Sequence, residues 1–200
     1  MIQHLIGQHI LIGISGLSLT QDEKKFIVQD SISGVVLFAR NISEPKQVRD
    51  LCAEIQSLRH QTPGKAPLYI AIDMEGGRVA RLKKPFTVWP PLKRLGDIDS
   101  PSMSFDFAMA MGKELKAIGI NLDFAPCIDV FTNPKNTVIG DRAVSHDPEI
   151  VAKHSSALIR GYMKADVIPC AKHFPGHGDT IIDSHEDLPI EKCSYDQLVS

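Results

Sequence analysis

The chain has 200 residues, of which 43% are hydrophobic and 23% are charged, and its formal net charge at pH 7 is −2. This balance is typical of a globular protein with a substantial core, and it offers neither a basic surface for nucleic acid nor a charged tail. The cysteines are widely spaced without a C-x-x-C pair, which predicts reduced thiols rather than a disulfide framework: Cys52, Cys127, Cys170 and Cys193. Cys170 lies inside an apolar run and is expected to be a small core residue.

The first predicted element is a buried strand at residues 9–14, HILIGI. The surrounding segment, HLIGQHILIGISGLSL, is apolar enough to resemble a signal peptide. However, no Lys or Arg precedes it, no clear small-residue cleavage site follows it, and it is too short to span a bilayer. We therefore expect a cytoplasmic protein that has no membrane partner.

Predicted helices and strands then alternate along the chain. Four more short apolar runs predict strands at residues 34–39, 68–73, 120–126 and 167–173. Helices are predicted at residues 20–30, 43–60, 105–119 and 146–165, and a further helix is expected to begin at Ser194. Thr20 is the expected N-cap of the first helix because Glu23 follows three residues later, which makes a capping box. Ser43 is expected to cap the second helix, and Gly119 to end the third.

Strands that are apolar throughout and alternate with helices predict a parallel sheet covered on both faces. Five such units, without Gly-x-Gly-x-x-Gly after the first strand, favour an α/β fold of the TIM (β/α)₈ barrel type. A TIM barrel typically needs about 250 residues. We therefore expect residues 1–200 to form a single barrel domain that is incomplete at its C-terminus and covers about the first five to six β/α units. An open doubly wound sheet, which five strands could complete, is the alternative.

Polar residues stand at the C-terminal ends of the predicted strands, where both architectures place their active sites. Asp73 ends the third strand, Asp123 and Asp129 flank the end of the fourth, and Lys172 and His173 end the fifth. A lysine at the end of a buried strand is costly unless it meets an anion or a ring of acceptors, such as sugar hydroxyls. The alternative is a structural pair with Asp73 or Asp123.

Two loops bring further charge to the same edge of the sheet. DMEGGRVARL, residues 73–82, places acids and arginines around two glycines, which permit close backbone approach or a positive φ. IGDRAVSHDP, residues 139–148, contains Arg142, whose guanidinium can bridge a carboxylate or hydroxyl groups. A structural ion pair between Arg142 and Asp141 or Asp147 is the alternative.

The segment KHFPGHGDTIIDSHEDLP, residues 172–189, is dense in polar and turn-forming residues. Residues two apart in an extended segment project to the same side, so Asp183 can reach the imidazole of His185. A carboxylate on one ring nitrogen fixes the tautomer and raises the basicity of the ring, leaving the other nitrogen to exchange a proton. The alternative is a surface loop in which this Asp and His are incidental.

A metal site in this segment is the second mechanistic class. The possible ligands are His173, His177, Asp183 and His185. Pro175 and Gly176 interrupt the first two histidines, which excludes the helical H-x-x-x-H of zinc enzymes. We therefore expect neither a metal nor another cofactor, with a metal-assisted barrel hydrolase as the alternative.

The motif KHFPGHGDTIIDSH resembles the signature of family 3 glycoside hydrolases, in the β-N-acetylhexosaminidase branch that includes enzymes of peptidoglycan recycling. DMEGGRVARL, NLDFAPCIDV and IGDRAVSHDP match other landmarks of that family in the same order. The resemblance implies a TIM barrel and a retaining exo-β-N-acetylglucosaminidase. Its substrate would be a small carbohydrate, an N-acetylglucosamine-containing anhydro-muropeptide, and we expect a monomer. A family 3 β-glucosidase and a non-catalytic sugar-binding protein are the alternatives.

The resemblance also implies the roles of individual residues. The sugar-binding residues would be Asp73, Arg81, Arg142, Lys172 and His173. The general acid/base would be His185, in a dyad with Asp183. The nucleophile of the family is an aspartate on a later strand, and no motif in residues 1–200 corresponds to it, so we expect it beyond Ser200. Met74 stands where the family often has a polar residue, which is expected to affect local packing only.

Overall fold

The structure is a computed structural model that describes residues 2–183 and 187–190, together with Ser194 and Asp196. Its helices are α1 Ile2–Gly7, α2 Gln21–Gln29, α3 Pro45–Ser57, α4 Lys93–Ile98, α5 Pro101–Ala117 and α6 Pro148–Lys164. Its strands are β1 Leu11–Gly13, β2 Gly34–Leu37, β3 Tyr69–Ile72, β4 Met74–Gly76, β5 Val79–Ala80, β6 Leu122–Asp123 and β7 Ile168–Pro169. The helix predicted from Ser194 falls largely outside the described residues. No helix in the described ranges combines the length and apolar character that a bilayer crossing needs.

Five strands form one parallel sheet in the order β1-β2-β3-β6-β7, and every hydrogen-bonded pair is parallel. The order of the strands in the sheet therefore follows their order in the chain. A doubly wound sheet reverses its strand order at a switch point, whereas a TIM barrel adds each strand on the same side of the previous one. The chain thus has the topology of the first five units of a TIM barrel, as predicted.

The centre of the sheet is fully buried. Val35 and Leu37 of β2 and Ile70 and Ile72 of β3 expose none of their surface, and they join one hydrophobic cluster with the inner faces of the helices. Helices α5 and α6 pack closely because small residues lie at their crossing, where a Cβ at Gly161 would approach the carbonyl oxygen of Phe105 to 2.4 Å. This rigid layer supports the strand ends that carry the polar residues.

The helix signals in the sequence are partly confirmed. The hydroxyl of Thr20 accepts a hydrogen bond from the N–H of Glu23 (3.2 Å), and the Glu23 carboxylate accepts one from the N–H of Thr20 (2.7 Å), which completes the predicted capping box. Gly119 follows the end of α5 with φ +93°, as expected. Ser43 is not the N-cap of α3, because Pro45 begins that helix and Glu44 precedes it.

Three other features differ from the sequence predictions. Residues 2–7 form a short helix that no sequence signal indicated. Strands β6 and β7 are only two residues long, because the chain leaves the sheet early to form the loops that follow them, although Cys127 and Lys172 still form a parallel bridge. Cys170 is exposed rather than a core residue, since β7 pairs on one side only within the described part of the chain. Like Cys170, Cys52 and Cys127 are free thiols, whereas Cys193 lies outside the described residues.

Candidate active site

The C-terminal edge of the sheet brings together side chains that are far apart in sequence. Asp73 directly follows β3, and Lys172 lies just beyond β7. The ammonium group of Lys172 lies 2.8 Å from Asp73 Oδ1, across three neighbouring strands and 99 residues of sequence. The structural pair that the sequence offered as an alternative for Lys172 is therefore present.

Glu75 occupies the centre of this charged group; it was expected among the charged residues of the 73–82 loop, but without a role of its own. Its carboxylate is almost completely buried, with Oε1 lying 2.6 Å from Lys172 Nζ and 2.8 Å from Arg142 Nη2. Oε2 accepts a second hydrogen bond from Arg142 Nε at 2.9 Å, so the guanidinium binds Glu75 in a bidentate manner. Neither Asp141 nor Asp147 pairs with Arg142, because Asp141 meets Arg78 and Asp147 caps α6.

The buried charges in this group stabilise one another. Burial alone would raise the pKa of Glu75, but Arg142 and Lys172 hold that pKa below its usual value. Burial would likewise lower the pKa of Lys172, whereas Glu75 and Asp73 raise it. Glu75 and Lys172 therefore keep their charges at neutral pH, and they form one connected group with Asp73 and Arg142.

Arg81 completes the outer side of the cluster. It extends from the turn after the β4–β5 hairpin, and its Nη2 lies 3.4 Å from Asp73 Oδ2. Gly76 and Gly77 make the hairpin possible: both have positive φ (+92° and +57°), and a Cβ at Gly76 would lie 2.4 Å from the carbonyl oxygen of Pro90. The geometric role expected for the two glycines is confirmed.

His173 lies between Arg142 and a buried carboxylate. Its Nδ1 is 2.6 Å from Asp129 Oδ2, and its Nε2 is 3.1 Å from Arg142 Nη2. The peptide bond between Lys172 and His173 is cis. Burial would raise the pKa of Asp129, but hydrogen bonds from His173 and from the N–H of His177 lower it. The structure thus brings together all five predicted sugar-binding residues: Asp73, Arg81, Arg142, Lys172 and His173.

Asp123 lies beneath the cluster rather than in it. It is completely buried; its Oδ1 accepts the N–H of Met74 at 2.9 Å, and its Oδ2 has no hydrogen-bond partner. Burial raises the pKa of this carboxyl well above its usual value. The hydrogen bond to Met74 links β6 to the start of the β4–β5 hairpin, and the pairing of Lys172 with Asp123 that the sequence left open is not formed.

The loop after β7 lies against the loop after β6. A cavity of about 400 Å³ separates parts of the two, and Asp129, Val130, His173, Phe174 and Gly178 contribute to its lining. Phe174 is 95% exposed at its edge. The loop continues to Asp183, which is half-buried, but His185 lies outside the described residues, so the predicted dyad stays a prediction.

One trio of side chains at this edge has the donor atoms of a metal site. Cys127, Asp129 and His173 each place one ligand atom within 4.8 Å of the others. In this structure the three side chains form hydrogen bonds with one another. The Cys127 thiol donates a hydrogen bond to Asp129 Oδ2 (3.3 Å), which also accepts one from His173. Burial raises the pKa of the thiol, which opposes formation of the thiolate that binds metals. The geometry therefore supports a hydrogen-bonded group at this position.

Known proteins share both this fold and much of this sequence. The family model "Glycosyl hydrolase family 3 N terminal domain" matches residues 1–200. A Beta-hexosaminidase of Nitrosomonas eutropha is 36% identical over 195 residues, which are 94% of this chain and 54% of that protein. A Beta-hexosaminidase of Thiobacillus denitrificans is 38% identical over 189 residues, which are 92% of this chain and 51% of that protein. The chain thus spans about half the length of these curated relatives.

Solved structures agree with the sequence comparison. A glycoside hydrolase family 3 β-N-acetylglucosaminidase from Paenibacillus sp. str. FPU-7 superposes with a TM-score of 0.95 and 39% identity, covering 100% of this chain and 38% of that one. NagZ from Neisseria gonorrhoeae, in complex with N-trifluoroacetyl-D-glucosamine, gives a TM-score of 0.87 and 36% identity, covering 95% of this chain and 56% of that one.

Proposed function

The chain belongs to glycosyl hydrolase family 3, and on that premise we propose that the full-length protein is a retaining exo-β-N-acetylglucosaminidase. The observation that carries this proposal is the charged cluster at the C-terminal edge of the sheet. Asp73, Lys172 and Arg142 converge there with His173, in the position where TIM barrels bind their substrates. Charged donors and acceptors held in fixed orientations suit the several hydroxyl groups of one terminal sugar.

The names of the relatives support the choice of sugar. The curated relatives are named Beta-hexosaminidase, and one solved relative carries an N-acylated glucosamine derivative. We propose that the natural substrate is a peptidoglycan fragment that bears a terminal β-linked N-acetylglucosamine, and that the protein acts as a monomer in the cytoplasm. The free thiols of Cys52, Cys127 and Cys170 fit a reducing compartment.

We also propose a role for each residue of the site. Asp73, Arg81, Arg142, Lys172 and His173 bind the terminal sugar. His185 is the general acid/base, which protonates the leaving oxygen and later takes a proton from water, and Asp183 orients it. Residues 1–200 form one barrel domain in this proposal, and the nucleophile is an aspartate outside them.

Hydrolysis of two nitrophenyl glycosides tests the proposal. The full-length protein should release nitrophenol from the N-acetyl-β-glucosaminide much faster than from the β-glucoside, and it should release N-acetylglucosamine from a GlcNAc-anhydro-muropeptide. A preference for the glucoside would instead identify a β-glucosidase. Binding of N-acetylglucosamine without any hydrolysis would identify a sugar-binding protein.

A further inference from the structure

The buried carboxylate of Asp129, next to the proposed sugar-binding residues, accepts three hydrogen bonds from the loop after β7. Asp129 is 2% exposed and lies in the loop after β6. Its Oδ2 accepts hydrogen bonds from the N–H of His173 (3.2 Å) and from the ring Nδ1 of His173 (2.6 Å). Its Oδ1 accepts a hydrogen bond from the N–H of His177 (2.6 Å). One side chain therefore ties down both ends of the turn at residues 173–177.

These contacts also determine which nitrogen of the His173 ring carries the proton. An ionised carboxylate can only accept hydrogen bonds, and a guanidinium can only donate them. Asp129 faces Nδ1, so Nδ1 must be protonated; Arg142 faces Nε2, so Nε2 must offer its lone pair. The ring is therefore the neutral Nδ1–H tautomer, and the hydrogen bonds run in one direction from Arg142 through His173 to Asp129.

Resting on the function proposed above, we infer that Asp129 is a positioning residue for sugar binding: it fixes the Nδ1–H tautomer of His173 and anchors residues 173–177 to the end of β6. The unprotonated Nε2 then has a single lone pair, which accepts the hydrogen bond from Arg142 Nη2. A sugar hydroxyl can replace Arg142 as the donor to this lone pair, because Arg142 remains held by Glu75 through its Nε and Nη2 atoms.

Replacing Asp129 with asparagine is the most specific perturbation, because the two side chains have the same shape. The amide oxygen can keep the bond to the N–H of His177, but the amide NH₂ then faces the N–H and the Nδ1–H of His173. Two donors cannot share that contact, so the ring must move its proton to Nε2, where it meets the donating Arg142. Asp129→Asn should therefore disrupt the whole chain of hydrogen bonds.

Two measurements on the full-length protein test the inference. Long-range ¹H–¹⁵N correlation spectra of protein labelled with ¹⁵N-histidine should show a protonated Nδ1 and an unprotonated Nε2 for His173. The signals of His173 are identified as those that disappear in the His173→Gln variant. In Asp129→Asn this pattern should invert. Loss of a charged buried hydrogen bond should lower kcat/KM for the nitrophenyl N-acetyl-β-glucosaminide roughly 10-fold or more, mainly through a higher KM.

Asp141→Asn is the matched control, since it removes a carboxylate from the same long loop but affects only the exposed pair with Arg78. This control should retain the His173 tautomer and the kinetic constants. A protonated Nε2 in the wild-type protein would overturn the inference even if Asp129→Asn does not fold. Unchanged kcat/KM and an unchanged tautomer in a folded Asp129→Asn would also overturn it.

The same experiments separate this inference from the function on which it rests. If the wild-type protein hydrolyses neither glycoside, the proposed function fails. The tautomer, and the affinity of each variant for N-acetylglucosamine, would still decide the role of Asp129. If hydrolysis is found and the tautomer is Nε2–H, only the positioning role fails.

Discussion

At the scale of single residues, the site is a set of charges whose partners are distant in sequence. Glu75 holds Arg142 and Lys172 at the same time, although 67 residues separate it from the first. A carboxylate buried to this degree is stable in its charged form only with such partners. Its main effect is to fix the positions of two side chains that are proposed to bind the sugar.

Glu75→Gln should therefore lower the free energy of unfolding by about 1.5–3 kcal/mol at neutral pH, because a charged buried hydrogen-bond partner is lost. The folded-state pKa of Glu75 is lowered, so its contribution to stability is complete above the unfolded pKa of about 4.3 and is lost as pH falls through the folded value. Urea unfolding measured at a series of pH values should show that the difference in the free energy of unfolding between wild type and variant shrinks below about pH 4. The exposed Glu44→Gln serves as control, and a difference that grows towards acid pH would contradict the assignment.

The role of His185 has a distinct kinetic consequence. General acid–base catalysis contributes about 10²–10⁴-fold. His185→Ala in the full-length protein should depress hydrolysis of a substrate with a poor leaving group by that order, while an activated aryl leaving group suffers less in the first step because it needs no proton. Pre-steady-state release of the aglycone measures that step. Equal losses on both substrates would show that His185 is not the acid.

At the scale of elements, the loops after β6 and β7 behave as one unit. Asn136 Nδ2 donates to the carbonyl oxygen of His177 (2.5 Å), and Thr132 Oγ1 donates to Asp179 Oδ1 (2.7 Å). Gly178 permits the close approach of the two loops, since a Cβ there would lie 1.8 Å from the carbonyl oxygen of Val130. The position of the segment that leads to Asp183 is therefore set by the loop after β6.

Gly178→Ala should force the two loops apart, because the new methyl group collides with backbone atoms that have little freedom to move. We expect a loss of about 1–3 kcal/mol in the free energy of unfolding. A fall in kcat/KM should accompany it, since the loop leads to the proposed dyad. Gly16→Ala is the matched control, because no atom lies within 4 Å of a Cβ built there. Equal stability and activity in the two variants would show that the approach of the loops is not important.

At the scale of the whole molecule, the sequential parallel sheet directs the carboxyl ends of all five strands to one edge. Three of these ends supply the charged cluster, so the five strands of the sheet already build one side of the proposed sugar site. Retaining glycosidases place their two catalytic groups close together, about 5–5.5 Å apart when both are carboxyls. The proposed mechanism therefore needs a carboxylate that reaches this same edge.

A 5-fluoro glycosyl fluoride should trap the full-length protein as a covalent glycosyl-enzyme. Peptide mapping by mass spectrometry should find the label on an aspartate outside residues 1–200. The first product of hydrolysis, followed by NMR, should keep the β configuration. A label on any residue of 1–200, or an α-anomer as the first product, would contradict the proposed mechanism.

Local sequence signals correctly predicted most of the elements and the polar residues at the ends of the strands. The capping box of Thr20, the alternation of strands and helices, and the polar residues at the strand ends depend on residues only a few positions apart, and the structure contains them. Where local signals were nearly balanced, the predictions were wrong, as for Ser43 beside Glu44 and Pro45. The family motifs identified the candidate sugar-binding residues for the same reason: they are short and contiguous.

The sequence by itself therefore determined the fold class, the edge of the sheet at which the polar residues collect, and the candidate side chains of the proposed site. Only the tertiary structure decided their partners: Glu75 for Arg142, Asp129 for His173, and a buried Asp123 that does not pair with Lys172. The physical reason is distance along the chain. Helix caps and hydrophobic periodicity depend on residues only a few positions apart. Ion pairing and burial instead depend on which strands lie side by side in the sheet, and these contacts join residues that are 31–99 positions apart.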